Sequence, residues 1–345
     1  VNQSVPSLAA VGGVGAEVLQ YPIGVRSYGM GETGVADNAD PSNLYFNPAN
    51  LATVHGALLT GSFGKLYPDF VSDWWIGNVG VSGGYQTTLD NSTEVGFGGD
   101  VRYGRRDLGE SIATNTRGEE LGSFSSHESY LGISAAGGMV FSERIHVAVG
   151  ATFKYVWIEY VPDDFALEGI DGTANTVAFD MGLRVAANLF EDSGHLFVPA
   201  AGISYVNLGP GIEFTDQEQS DDLPRAVRYG LSGRFESSSS PEIDDVFNTR
   251  LPIVSISVNF DVRDSQVTGT ANVYGVGFEV EALKILFVRL GYIKVKDGDV
   301  KDPTYGAGLG LPYNKFRARF DYARVPTPGR RDDENRFGIS IGALF

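Results

Sequence analysis

Long stretches in which every second residue is apolar constrain this chain more than any other feature of its sequence. From Ile145 to Glu159, the residues Ile145, Val147, Val149, Ala151, Phe153, Tyr155 and Trp157 fall on one face of an extended strand. His146, Ala148, Gly150, Thr152 and Lys154 fall on the other. Residues 315–322 repeat the pattern, with Phe316, Ala318, Phe320 and Tyr322 opposite Lys315, Arg317, Arg319 and Asp321. In 176–185, Val177, Phe179, Met181, Leu183 and Val185 oppose Asp180 and Arg184. Side chains alternate across a strand, so each run is a ribbon with one apolar and one polar face. Strands of soluble sandwiches average nearer six residues. Runs of about ten or more reach the length needed to cross a bilayer at a tilt.

Fourteen such strands are predicted, roughly at 54–66, 74–86, 92–104, 127–141, 144–160, 173–190, 195–207, 225–236, 252–263, 271–281, 285–294, 304–311, 315–323 and 335–345. Most even-numbered connections are tight turns, such as Leu89-Asp90-Asn91, Ser142-Glu143 and Pro312-Tyr313-Asn314. Odd-numbered connections are longer and acidic, notably 105–126, 161–172, 208–224, 295–303 and 324–334. A barrel with short turns on one side of a membrane and long loops on the other produces this alternation. Residues 237–251 break it with a long segment on the short-turn side. Aromatics near strand ends (Trp74, Trp75, Tyr103, Trp157, Tyr160, Tyr292, Tyr322) suit an interfacial girdle. The last strand alternates Phe337, Ile339, Ile341, Ala343 and Phe345 with Gly338, Ser340, Gly342 and Leu344, and a terminal Phe345 is similar to the insertion signal of outer-membrane barrels. The fold class is therefore all-β: a transmembrane antiparallel β-barrel of about fourteen strands, occupying 54–345.

Residues 1–53 do not alternate. Asp40-Pro41 and Asn47-Pro48 each place a polar cap before a Pro at the first helical position. Eight strands leave an interior that side chains fill, and sixteen leave a water channel. A ring of fourteen needs filling, so 1–53 is predicted to be a plug in the lumen. The inward residues are strongly ionic: Asp100, Arg102, Lys154, Asp180, Arg184, Arg225, Glu279, Arg289, Arg317, Arg319 and Asp321. Charges enclosed in a lumen are paired or wetted. The expected network has Arg184, Arg289, Arg317, Arg319 and Asp321 at its centre, and the strands offer no obvious apolar conduit.

Composition excludes several classes of function. With 26 basic and 43 acidic residues the formal charge is −17, which speaks against binding nucleic acid. There is no Cys, so disulfides and thiolate metal sites are absent. His55, His127, His146 and His195 share no metal-ligand spacing, and no cofactor or metal is expected. Asp297-Gly298-Asp299 with Asp302 is a faint echo of a Ca²⁺ loop without its closing Glu. No Gly-x-Ser-x-Gly elbow occurs, and no enzyme is predicted. The chain starts at Val1 without an apolar leader, the form expected of a mature outer-membrane protein after removal of its secretion signal.

The stretch from Gly24 through Gly29-Met30-Gly31 and Gly34 to Ala36 resembles the opening of the PorV/PorQ family of outer-membrane proteins, relatives of the FadL fatty-acid transporters. The resemblance continues through Tyr45-Phe46-Asn47-Pro48-Ala49-Asn50-Leu51-Ala52, whose Asn-Pro-Ala core is similar to the element in the FadL plug. Val206-Asn207-Leu208-Gly209-Pro210, Asp222-Leu223-Pro224-Arg225, Arg289-Leu290-Gly291-Tyr292 and Phe320-Asp321-Tyr322-Ala323 also fit. The resemblance implies a fourteen-stranded barrel with an N-terminal plug, whose motif residues would be Gly29, Met30, Gly31, Asn47, Pro48 and Ala49. For PorV-like members it also implies a part in type IX secretion. The first functional expectation is thus a non-enzymatic partner barrel in protein export or surface assembly. Its acidic outer loops would meet other outer-membrane or surface proteins, and its wall would meet outer-membrane lipid. The second is a FadL-like transporter of hydrophobic molecules, with an apolar pocket beside residues 40–52.

Overall fold

A computed structural model describes residues 14–343, apart from 90–92, 116, 142–143, 166–171, 191–193, 215–219, 240–250, 297–300 and 327–332. Fourteen strands form one closed antiparallel barrel. In chain order the strands are β1 (Gly56–Lys65), β2 (Trp75–Leu89), β3 (Thr93–Thr114), β4 (Glu120–Phe141), β5 (Ile145–Glu159), β6 (Thr173–Ala187) and β7 (Leu196–Leu208), then a small separate hairpin, β8 (Ile212–Glu213) and β9 (Ser220–Asp221). The wall resumes with β10 (Ala226–Glu236), β11 (Val254–Ser265), β12 (Val273–Ala282), β13 (Leu286–Val295), β14 (Lys301–Tyr313), β15 (Phe316–Val325) and β16 (Glu334–Ala343). Each wall strand pairs with its neighbours in the chain, and β1 closes the ring on β16, with Ala57 opposite Ala343. Closure removes the free edges that a sheet cannot expose to lipid.

The outward face is apolar all the way round. Leu59, Val81, Val101, Ile133, Val149, Phe179, Leu231, Val288 and Phe320 are exposed. Such a surface is a liability in water and a requirement in hydrocarbon. The shortest wall strands, such as β1 and β12, have 10 residues. At about 3.3 Å per residue and a tilt near 40°, that length spans roughly 25 Å, the height of a lipid-facing band. At the long-loop end, Tyr103 lies 5.9 Å from Trp157, and Phe63 lies 5.8 Å from Trp75. These rings suit the membrane interface.

Three sequence expectations need correction or delimitation. Most of 105–126, expected as loop, is strand. β3 loses β2 as a partner above Asp107, and β4 loses β5 above His127, so the two continue as a two-stranded overhang. Both faces of that overhang leave the hydrocarbon, and the alternation that marks the wall is not imposed there. Arg225 does not face the lumen. It precedes β10 and pairs with Asp222 at 2.7 Å, and the inward basic residues of that strand are Arg228 and Arg234, the latter paired with Glu281 at 2.9 Å. Phe345, Asp297 and Asp299 lie outside the described residues, as do 240–250 in the long connection between β10 and β11. The strand count across that connection stands.

Candidate functional site

Residues 14–54 follow the inner wall around the whole ring. The short helix α1 (Val25–Gly29) lies against β13–β16, and a 3-10 turn at Pro48–Thr53 lies against β2–β6. Both predicted caps form: Asp40 accepts from Ser42 N–H, and Asn47 from Ala49 N–H. What makes the close fit possible is a circuit of inward-facing wall glycines. A methyl added at Gly338, Gly291, Gly277, Gly230, Gly202, Gly182, Gly150, Gly98 or Gly84 would come within 3.0 Å of an atom of the segment, and most of the atoms met are backbone. Outward-facing Gly99 is different, since its nearest atom would be Ser134 O at 3.5 Å. Only a residue without Cβ lets two backbones approach so closely.

The motif residues sit at fixed points on this circuit. Gly29 meets Gly306 backbone to backbone, and Met30 is fully buried over Gly277. Gly31 adopts φ 68°, a conformation open to glycine. The Asn47 amide donates to Val35 O at 3.0 Å and to Leu183 O at 2.9 Å, which ties the segment to itself and to β6. Pro48 and Ala49 cross Gly150.

Seven of the ionic residues form one chain across the segment and the wall. Asp37 pairs with Arg26 at 2.6 Å, Arg26 with Glu279 at 2.6 Å, Glu279 with Arg289 at 2.5 Å, and Arg289 with Asp321 at 2.7 Å. Asp321 then pairs with Arg319 at 2.6 Å, and Arg319 returns to Asp40 of the segment. Burial alone would raise the Asp37 and Asp40 carboxyls. Arg26 and Arg319 outweigh it and hold both below the usual carboxylate range. Three of the five expected network residues (Arg289, Arg319 and Asp321) meet here. Arg184 and Arg317 stand apart. Arg184 donates to Ala36 O and Asn38 Oδ1, and Arg317 has no ion pair among the described residues. Arg26, Asp37 and Asp40 were missed because nothing in a non-alternating segment marks a residue as facing the wall.

The lumen is not polar throughout, contrary to the sequence expectation. Toward the long-loop end the inward positions of β5 and β6 turn apolar, with Val156, Ile158, Ala174 and Ala178 buried. They join Val18, Leu19, Tyr45 and Phe46 of the segment, and Ile212 and Leu223 from the connection between β7 and β10. The described parts of that connection, 209–214 and 220–225, fold inward as a lid, with Phe214 stacked 5.5 Å from Tyr160. The side chains pack against one another as one buried apolar cluster. Two small cavities near it, one beside Tyr45 and Phe46 and one beside Val18, are about 20 and 10 Å³, room for a water molecule or so.

Beside this cluster the wall is interrupted. The β6–β7 ladder runs from Ala186 to Met181, slips register at Asp180, and ends at Phe179 opposite Leu208. Above that point the lid connection, not a strand, covers β6, with Thr176 Oγ1 donating to Pro210 O at 3.1 Å. At the short-turn end the lumen opens into cavities of about 310, 350 and 370 Å³. The largest of these borders the segment at Asn38, Ala39 and Pro41, with Leu58 and Phe287 beside Arg317 and Lys284. The pocket expected beside residues 40–52 is therefore of mixed character.

No family model and no curated protein matches the sequence. Among solved structures, the chain is similar to the TodX monoaromatic hydrocarbon channel deltaS2 mutant, with a TM-score of 0.52 and 13% identity over 93% of this chain and 98% of that one. The deltaS2S3 mutant of the same channel gives 0.50 and 11%, over 93% and 99%. The Pseudomonas putida toluene transporter TodX gives 0.49 and 12%, over 92% and 96%. At such identities the likeness is one of fold.

Proposed function

We propose that this chain is an outer-membrane channel for small hydrophobic molecules, with residues 14–53 acting as its plug and the short turns facing the periplasm. The observation that carries this reading is the buried apolar cluster under the lid, inside a barrel whose lumen is otherwise strongly ionic. Among the described residues the segment lies flush on the wall and is bridged to it by ion pairs, which opposes the passage of a water-soluble solute. An apolar solute gains once those side chains part to admit it. Burying about 200 Å² of apolar surface is worth roughly 5 kcal/mol. The interruption between β6 and β7 gives that cluster a stretch of wall without strand hydrogen bonds. The similar folds are those of channels described as carrying monoaromatic hydrocarbons, which supports this reading over a partner role in protein export.

The test is entry of labelled toluene and of a labelled disaccharide into vesicles carrying the protein. Toluene should enter faster than in protein-free vesicles, and the sugar should not. Equal entry of both, or of neither, overturns the proposal. The β3–β4 overhang favours a second reading, as a partner barrel in export or surface assembly. Its free edges could add a strand from another protein. Recovery of a stoichiometric outer-membrane or surface partner that is lost with the overhang would support it.

A further inference from the structure

We infer that Lys154, Asp180 and Asn207 form a latch that ties the lid to the interruption in the wall, so that the two open together. This rests on the channel reading above and names its control point. Asp180 faces the bulge, the single β6 residue opposite Val206 and Asn207 where the β6–β7 register slips. Its carboxylate takes the Lys154 ammonium at 2.7 Å and the Asn207 backbone N–H at 2.8 Å. Lys154 also donates to Asn207 Oδ1 at 2.8 Å, and Asn207 Nδ2 donates to Pro224 O at 2.9 Å. One set of four bonds thus joins β5, β6, the end of β7 and the far end of the lid. All three side chains are buried.

Two features separate a latch from ordinary filling. The first is backbone geometry. Asn207 holds φ 59°, a left-handed conformation that turns the chain from the wall into the lumen where the lid begins. Asn207 fixes both lid ends at once, one by its own backbone and the other through Pro224. The second is energetic. A buried ion pair is a weak source of net stability, and apolar residues often serve as well. What Lys154 and Asp180 supply is a directional set of bonds, complete only while the bulge and the lid are both in place. Loss of any member releases the lid and the β6 seam from the same point.

The test uses the whole chain, whose lack of Cys allows labelled pairs to be introduced cleanly. Spin labels at Glu213→Cys and Ser123→Cys report the lid, and labels at Asn175→Cys and Tyr229→Cys report the seam. Asn207→Gly removes the amide while tolerating the left-handed backbone. Lys154→Met with Asp180→Asn removes both charges and keeps an acceptor for the Asn207 N–H. Both distances should shift to longer, broader distributions in each variant. Movement of one pair alone, or of neither, overturns the latch. Should the double variant fail to insert, Asn207→Gly decides. Toluene entry in the same vesicles separates the two ideas. Labels that move without any toluene entry retain the latch and sink the channel reading. Unmoved labels with intact toluene entry do the reverse.

Discussion

Neighbouring glycines on one strand show how the side of the wall decides a residue's meaning. Gly98 points inward and would drive a methyl into the Leu51 carbonyl, while Gly99 points outward with nothing nearer than 3.5 Å. Gly98→Val should lower thermal stability, with overpacking costing about 1–3 kcal/mol, and should make planar bilayers conduct ions as the segment shifts. Gly99→Val should do neither. Nothing in the sequence marked this difference, since a glycine within a strand reads as a weak strand residue on either face. The parity was available all the same: Gly98 shares its face with Asp100 and Arg102, which had been placed inward. The ion chain makes a second prediction. Arg289→Met leaves Glu279 and Asp321 buried with one partner fewer, which should cost about 3–5 kcal/mol in urea unfolding. An unchanged midpoint would show the pairing to be dispensable. The acid response has a definite sign. Asp37 and Asp40 have folded-state pKa values below their ordinary ones, so their contribution is complete above the unfolded value near 3.8 and is lost as pH falls through the folded values. The contribution of Asp37 and Asp40 should therefore show as a rise in protease access to residues 24–53 as pH falls below about 4.

Whole strands were more legible than single residues, and for a physical reason. Hydrocarbon on one side forces an apolar residue at every second position, so all fourteen wall strands left their period in the sequence. Where the lipid ends, so does the signal. The upper halves of β3 and β4 carry Asp107, Glu110 and Glu120 among glycines and serines, and they read as loop. The same cause hid the apolar cluster. Val156 and Ile158 continue the inward parity of Lys154, but the polar residues that mark this face lie in its lower half. The β6–β7 slip could not be read at all, because register between two strands depends on pairing across a connection. The overhang lies beyond the last wall rungs, Trp75 with Asp107 and His127 with Glu159. Replacing 110–120 by a short turn should therefore leave the heat-resistant compact form and toluene entry unchanged. Loss of the compact form would mean that the overhang nucleates the wall.

At the scale of the molecule, wall and contents are held by different interactions, and this separates their fates. The wall is a continuous ring of backbone ladders, with β1 on β16 included, set in a lipid-facing apolar surface. None of those ladders passes through residues 14–53. The contents are held by glycine contacts, by Asn47, and by the ion chain through Arg26, Asp37 and Asp40. Deleting 14–53 should therefore leave a barrel that still inserts, though one that melts at lower temperature. Arg289, Arg319, Glu279 and Asp321 would then face water, which solvates them without the penalty that burial imposes. A fourteen-stranded ring is wider than the eight-stranded kind that side chains alone can fill. The emptied barrel should pass small ions and the disaccharide, where the full chain passes neither. Single-channel recording checks this directly: long-lived open steps in the deletion and a quiet trace in the parent are the expected pair. A quiet trace from a correctly inserted deletion would mean that the lid and the wall side chains close the lumen unaided, and that the N-terminal segment is not what keeps it shut.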